Sequence, residues 1–203
     1  SPTSTESYYV SSYTQSANIL QNSDFEFPDL SGQGTVIVDA STVPGWQTTA
    51  TDNMIEIWSS ASGTSSYGGD QYVELNANES AALYQDINTT SGTNLLWTFA
   101  HRGRSGSETM SLEIGPPGGP YLEIGQFTDD DTSWGSYNGV YVVPSGQTQI
   151  RFLFRAVTGG EVGNYIDAVS FSSYTERTDS VLVEVINAPF FDLGQDISSC
   201  EVL

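Results

Sequence analysis

The sequence predicts an all-β chain folded as a two-layer sandwich. Three observations point there: apolar and polar residues alternate at period two in short runs, Gly, Pro, Asn, Asp and Ser bound those runs, and no window of helical length holds an uninterrupted i, i+3, i+4, i+7 apolar stripe. With 203 residues, 37% of them hydrophobic and 12% aromatic, the chain is long enough to bury a real core as one full domain plus flanking pieces.

The runs follow one another along the chain. Thr35 to Asp39 and Met54 to Trp58 come first, separated by turn-forming residues that include Pro44-Gly45 and Asp52-Asn53. Gln71 to Asn76 follows Gly68-Gly69-Asp70, and Ala81 to Ile87 follows Asn78. Leu95 to Arg102 and Thr109 to Ile114 flank Gly103-Arg104-Ser105-Gly106, the spacing of two strands joined by a turn. Tyr121 to Phe127 starts after Pro116-Pro117-Gly118-Gly119-Pro120, and Gly139 to Val143 ends at Pro144. Gln149 to Val157, Tyr165 to Phe171 and Ser180 to Ile186 complete the set. Any helix is expected to be short and incidental.

Charge narrows the partners. Twenty-five acidic residues stand against five arginines and no lysine, for a formal charge of −20, so a polyanion such as nucleic acid or an anionic membrane is repelled across most of the surface. Cations are the natural counterpart, and an acidic, Ser/Thr/Gly-rich surface suits a protein exported into salty, calcium-containing water. No stretch approaches 18 consecutive apolar residues, and no basic region followed by an apolar one opens the chain. The chain is therefore expected to begin inside a longer precursor. The single cysteine, Cys200, is either a free thiol or the half of a bridge whose partner lies outside these residues.

The two ends resemble each other and differ from the middle. Ser11-Ser12-Tyr13-Thr14 reappears as Ser172-Ser173-Tyr174-Thr175. Ser1 to Val10 resembles a late strand of the immunoglobulin-like repeats of large secreted Bacteroidetes proteins, Thr178 to Val185 resembles the final strand of such a repeat, and Ala188 to Asp196 with Cys200 resembles the opening of another. This implies an end of one repeat at residues 1–15, a sandwich at 16–173 inserted into the repeat's last hairpin, the final strand at 174–188, and a further repeat or linker at 189–203. A tandem arrangement joined by linkers is the alternative.

Within the middle region, Asn18 to Glu26 resembles the opening "N-G-D-F-E" strand of carbohydrate-binding-module-like jelly rolls of the galactose-binding-like superfamily. Val43-Pro44-Gly45-Trp46 is similar to their early turn, Gly69 to Leu75 to their "D-G-x-x-x-E-L" strand, and Asn164 to Phe171 to their closing "I-D-D-V-S" strand. The resemblance implies a jelly-roll β-sandwich and a structural Ca²⁺ tying the first strand to the last. Glu26 and Asp167 match the positions of its ligands, with Asp24 and Asp70 as helpers, and oxygen donors are what Ca²⁺ prefers. Ser23 stands where the opening motif has glycine, and Ala168 where the closing motif has its second acid.

Strand alternation then sorts the side chains. Leu95, Trp97 and Phe99 are expected to face the core, leaving Thr98, Ala100 and Arg102 outside; Ile150, Phe152 and Phe154 face it likewise, leaving Arg151, Leu153 and Arg155 outside. The same pleat pairs Glu56 with Trp58 and Tyr72 with Glu74 on a non-core face, adds Glu113, and brings Arg104 close behind Arg102. If these strands share a sheet, Glu56, Trp58, Tyr72, Glu74, Arg102, Arg104, Arg151 and Arg155 build one surface suited to a glycan, with rings to stack on pyranoses and planar charged groups for hydroxyls, carboxylate or sulfate. The plainer reading is cross-strand Arg–Glu pairing on a solvated sheet.

Other residues are read more simply. Trp46 is a packing residue, Trp134 either packs or binds, and Asp129-Asp130-Asp131 is a solvated acidic loop without the acid spacing of an EF-hand. His101, the only histidine, has no nucleophile motif beside it, so a catalytic triad is not expected. One His and one Cys make no zinc cluster, while Glu56 and Glu74 remain a formal carboxylate pair. The expected function is a non-catalytic, secreted, cell-surface binding module for a glycan within an adhesin-like protein; the alternative is a structural or adhesive stalk module without a sugar site.

Overall fold

A computed structural model describes residues 5–158 and 160–185, and it is a jelly-roll β-sandwich. The chain divides into two compact units, one of residues 14–175 and one drawn from 1–13 and 176–203. The segment expected to open a further repeat, 189–203 with Cys200, lies outside the described residues.

Twelve strands are formed in the described residues: β1 Glu6–Gln15, β2 Thr35–Asp39, β3 Gln47–Thr48, β4 Met54–Ser59, β5 Gln71–Glu74, β6 Ala82–Asn88, β7 Asn94–Gly103, β8 Glu108–Gly115, β9 Leu122–Asp129, β10 Gly135–Val142, β11 Gln149–Ala156 and β12 Asn164–Val183. Two three-residue 3₁₀ turns, Ala40–Thr42 and Ser60–Ser62, are the helical elements, each started by a side chain that accepts a backbone N–H, from Asp39 and Ser59. One sheet runs β10-β7-β12-β5-β4-β2 and the other β3-β6-β11-β8-β9. Every described pairing is antiparallel, which lets each sheet turn one face to the core and the other outward.

The expected pleat holds. From the first sheet Ile55, Ile57, Val73, Leu95, Trp97, Phe99, Ile166 and Phe171 point inward; Leu83, Met110, Leu112, Ile114, Ile150, Phe152 and Phe154 meet them from the second. Each fully buried large side chain contributes about 1.5–3 kcal/mol relative to exposure. Trp46 closes one end as a packing residue: it is buried, stacks on Phe25 at 4.8 Å, and donates its indole N–H to the Asn22 carbonyl at 2.8 Å. Nothing in that geometry leaves its ring free for a ligand.

The opening segment differs from the sequence reading. Asn18 to Glu26 is no strand, because Asn22 and Phe25 adopt positive φ (46° and 57°) and break the extended backbone. It still runs beside β12: Ile19 N–H donates to Phe171 O, Val169 N–H to Ser23 O, and the Asn18 amide serves both as donor to Val169 O and as acceptor from Phe171 N–H. Two backbone bonds and one side-chain amide thus stand where the continuous ladder of a strand was expected.

In the other unit, β1 pairs with β12. Its side chains are exposed along the whole strand, with Tyr9 and Tyr13 at 73% and 65%. Tyr13 Oη donates to Glu176 and Ser11 shares a hydroxyl contact with Thr178.

Candidate functional site

Register places the outward residues of the first sheet in two rows. Glu56 lies opposite Glu74, Glu74 opposite Tyr165, and Tyr165 opposite Arg102; in the next row Trp58 lies opposite Tyr72. Five of the expected ligand residues (Glu56, Trp58, Tyr72, Glu74, Arg102) therefore share one face, and Arg104 joins them from just beyond β7.

The rings in these rows pack on each other. Trp58 and Tyr72 are near-parallel at 6.5 Å, Trp58 meets Tyr165 at 5.5 Å, and Tyr72 meets Tyr165 edge-on at 4.8 Å. Two loops add to the cluster. Trp134, from the Asp130–Trp134 loop, sits edge-on to Tyr72 at 5.5 Å, and Tyr67, from the loop before β5, sits against Trp134 at 6.3 Å. Trp134 also donates its indole N–H to Ser65 O at 2.9 Å, so the two loops are bonded together over the sheet. Tyr72 and Tyr165 are buried, whereas Trp58 and Trp134 stay partly exposed and Tyr67 is exposed.

Arg104 and the two glutamates form the polar centre. The Arg104 guanidinium lies over the Trp58 ring at 4.5 Å and donates to Glu74 Oε2 at 2.9 Å. Glu74 also accepts the Trp58 indole N–H at 3.1 Å and the Gly163 N–H at 2.8 Å. Burial pushes the Glu74 carboxyl up to about 8, with the negative charge of Glu56 adding to the effect. Glu56 accepts from the Thr35 hydroxyl through Oε1 at 3.2 Å; its Oε2 is buried, receives no hydrogen bond, and lies 4.0 Å from Arg104 Nη1. Arg102 donates through Nη2 to the Asp131 carbonyl, and its Nε is likewise buried without an acceptor.

Arg151 and Arg155 are not part of this face. Both stand on β11 in the other sheet, so the single surface expected from the pleat divides between the two outer faces of the sandwich. The pleat fixes which side of its own sheet a residue takes; it does not say which sheet its strand joins. Arg151 grips Asp86 through two bonds of 2.6 and 2.7 Å and lies 3.7 Å over Tyr84, while Arg155 grips Glu113 at 2.7 and 3.2 Å. These are the cross-strand pairs of the plainer reading.

The expected metal ligands also separate. Glu26 Oε1 accepts the N–H groups of Asp70 and Gln71 at 2.7 and 2.9 Å, and Asp167 Oδ2 accepts those of Tyr67 and Gly68 at 2.8 and 3.0 Å. Burial, with the Glu26 charge as a lesser cause, raises Asp167 to about 7. Both carboxylates thus bond the backbone of residues 67–71, and Asp167 Oδ1 accepts the Ala168 N–H as well, at 2.6 Å. Asp24 and Asp70 are exposed, and among the described residues no group of three His, Cys, Asp or Glu is arranged to hold a metal.

His101 takes a structural position. Its ring is fully buried, with Nδ1 2.7 Å from Asp129 and Nε2 3.0 Å from Asn164. Asp129, read from sequence as solvated, also accepts the Tyr137 hydroxyl at 2.9 Å and so anchors the base of the loop that bears Trp134. Tyr165 and Tyr67 were not among the expected site residues. The signal for Tyr165 was present, since it alternates with inward Ile166; Tyr67 and Trp134 lie in loops, where periodicity assigns no face.

No protein-family model and no curated protein sequence matches the chain. Solved structures do resemble it. A family 61 carbohydrate-binding module in complex with β-1,4-galactotriose is 19% identical with a TM-score of 0.50, over 77% of this chain and 98% of that one. An arabinose-bound GH51 α-L-arabinofuranosidase gives a TM-score of 0.52 at 14% identity, over 77% of this chain and 26% of that one. The Clostridium thermocellum N-terminal endo-1,4-β-D-xylanase 10B, comprising its CBM22-1 and GH10 modules complexed with xylohexaose, gives 0.50 at 14%, over 64% and 26%. At such identities the likeness establishes the jelly-roll fold.

Proposed function

We propose that the jelly roll is a non-catalytic, extracellular glycan-binding module whose ligand lies along the outer face of β4, β5, β12 and β7. The observation that carries this reading is the composition of that face: partly exposed Trp58 and Trp134 backed by buried Tyr72 and Tyr165, with Arg102, Arg104 and two carboxylates in the same rows. Rings of this kind stack on the apolar faces of sugars, and fixed charged groups bond their hydroxyls. Support also comes from the similar structures, whose bound molecules are galactotriose, xylohexaose and arabinose. A structural calcium at Glu26 and Asp167 belongs to the same proposal, as does a place at the cell surface within a large adhesin-like protein built of immunoglobulin-like repeats.

One observation favours the alternative, a stalk or adhesive module without a sugar site. The rings turn largely toward each other, and Tyr72 is wholly buried. A glycan array probed with the whole chain separates the two. Binding lost in a Trp58→Ala, Arg102→Ala variant and kept in an Arg151→Ala, Arg155→Ala variant supports the proposed face; the reverse pattern moves the site to the other sheet, and an array without any binding leaves the stalk reading.

A further inference from the structure

Within the jelly roll four strands stand at the edges of the sheets: β10 and β2 in the first, β3 and β9 in the second. A strand edge carries unpaired backbone donors and acceptors that invite a further strand, so edges are ordinarily short, bulged, charged or broken by proline. Three of the four follow that rule. β3 has two residues, β2 has five and ends in Asp39, and β9 carries Glu123 and Asp129 and shifts register against Leu112 and Glu113 of β8. β10 does not follow it. It runs eight residues without a charge or a proline, and its register with β7 is unbroken from Gly135 opposite His101 to Val142 opposite Asn94.

The bonded side of β10 fixes its free side. Val143 N–H donates to Thr93 O at 2.9 Å, and residues two apart along an antiparallel strand turn to the same neighbour, so Tyr137, Gly139 and Tyr141 also bond β7. Ser136, Asn138, Val140 and Val142 therefore turn their N–H and C=O groups the other way, to an edge where no described strand pairs. Beside this edge an apolar groove of about 580 Å³ opens between β9 and β10, with Leu122, Ile124, Val140, Val142 and Pro144 in its walls. Leu122, Val140 and Val142 are 61%, 49% and 57% exposed, and no charged residue is among the described ones that line the groove.

Charge selects the occupant. The chain carries −20, yet residues 132–150, which span β10 and the turn after it, contain no Asp, Glu, Lys or Arg, and neither do 114–122 or 87–100. A partner drawn by electrostatics would use the acidic remainder of the surface. Two copies of this chain repel each other over most of that surface and least where the acids stop. We propose that β10 is a self-association edge, on which the β10 of a second copy pairs antiparallel to make a two-fold dimer. With the axis at Gly139, Asn138 faces Val140 and Ser136 faces Val142 of the second copy, each such pair exchanging two backbone bonds while the exposed valines and Leu122 leave water. The same strand stands on both sides of the contact, so the assembly closes at two. The axis is normal to the sheet, which sets the outer faces of β4, β5, β12 and β7 of both copies on one side. The dimer does not depend on what that face binds.

The test is sedimentation velocity of the whole chain in sodium chloride, with backbone amide exchange read at the same concentrations. A single strand pair buries little area, so wild type is expected to be monomeric at about 5 µM and mostly dimeric at about 500 µM. Exchange at Ser136, Asn138, Val140 and Val142 is expected to slow at least about threefold at the higher concentration, and that of β2 to stay unchanged. Val140→Lys lowers the net negative charge, and it is expected to raise the dissociation constant at least about tenfold by placing a charge on the edge. Ile37→Lys, the same change on β2, is expected to leave it within about twofold. Raising salt from about 50 to 500 mM is expected to tighten association of wild type, because it screens repulsion between the copies. A chain monomeric at both concentrations overturns the proposal and leaves the groove to a different occupant. Association that Val140→Lys leaves unchanged, or that both lysine variants weaken equally, places the contact elsewhere and overturns it as well. So do assemblies larger than a dimer and association weakened by salt. Concentration, salt and exchange are all read on wild type, so a poorly folded variant does not shield the proposal.

Discussion

Glu74 shows what a single residue can impose on the whole. Its folded carboxyl is raised to about 8 by burial and by Glu56, while in the unfolded chain it titrates near 4.5. Between those values the folded state holds more protons than the unfolded state, so stability falls as pH rises through that window and is flat on either side. Asp167, raised to about 7 by burial, adds to the same fall. The exposed acids Asp39, Asp52 and Asp130 are shifted the opposite way by hydrogen bonds, so their contribution is lost only in strong acid. Thermal melts from pH 5 to 9 are expected to show a declining midpoint in wild type and a shallower decline in Glu74→Gln, in which the amide imitates the protonated acid. Parallel curves would show that Glu74 ionises freely. The sequence made the outward side of Glu74 legible through its alternation with Val73 and Leu75. Its burial was not legible, because that comes from Arg104, Trp58 and the Gly163 N–H, all contributed from elsewhere in the chain.

At the scale of elements, the strands were readable because nearly every one is buried on one face and therefore alternates. Thr35–Asp39 is recovered without shift, and the ends of β4, β6, β8 and β11 move by at most one residue. Segments whose backbone is held by side chains were not readable in the same way. Asn18 to Glu26 reads as a strand by motif, yet it joins β12 through the Asn18 amide and two backbone bonds and not through a continuous ladder. The loop before β5 is held similarly: Glu26 and Asp167 accept three of its backbone N–H groups and that of Gln71, which opens β5, and a Cβ on Gly69 (φ +59°) would stand 2.1 Å from the Glu26 carboxylate. If calcium joins those two carboxylates, it fastens the loop to both ends of the jelly roll. Millimolar calcium is then expected to raise the melting temperature of wild type by several degrees over chelator, on the scale of about 2–3 kcal/mol of linkage, and to leave Glu26→Gln nearly unmoved. Identical melts with calcium and chelator would leave the carboxylates as latches for backbone alone.

Across the whole molecule, the core and the charge are distributed differently. Every buried hydrophobic residue among the described ones lies between Leu20 and Phe171. The acids are spread along the chain, from Glu6 through Glu184 to Glu201. Stability therefore resides in residues 14–175, and the strand residues outside it, 6–13 and 176–183, are almost uniformly exposed. A two-stranded ribbon by itself is marginal in water, since it has no second layer on which to bury a face. A chain cut to Thr14–Thr175 is expected to unfold in one cooperative transition within about 2 °C of the full chain, a shift corresponding to less than about 1 kcal/mol for a protein of this size. The comparison belongs at two ionic strengths. Self-repulsion within a highly charged chain is screened by salt, so both melts should rise together on going from 10 to 300 mM sodium chloride. A truncated chain that melts more than about 10 °C lower, or in two steps, would mean that residues 1–13 and 176–203 supply stability that the buried core does not account for.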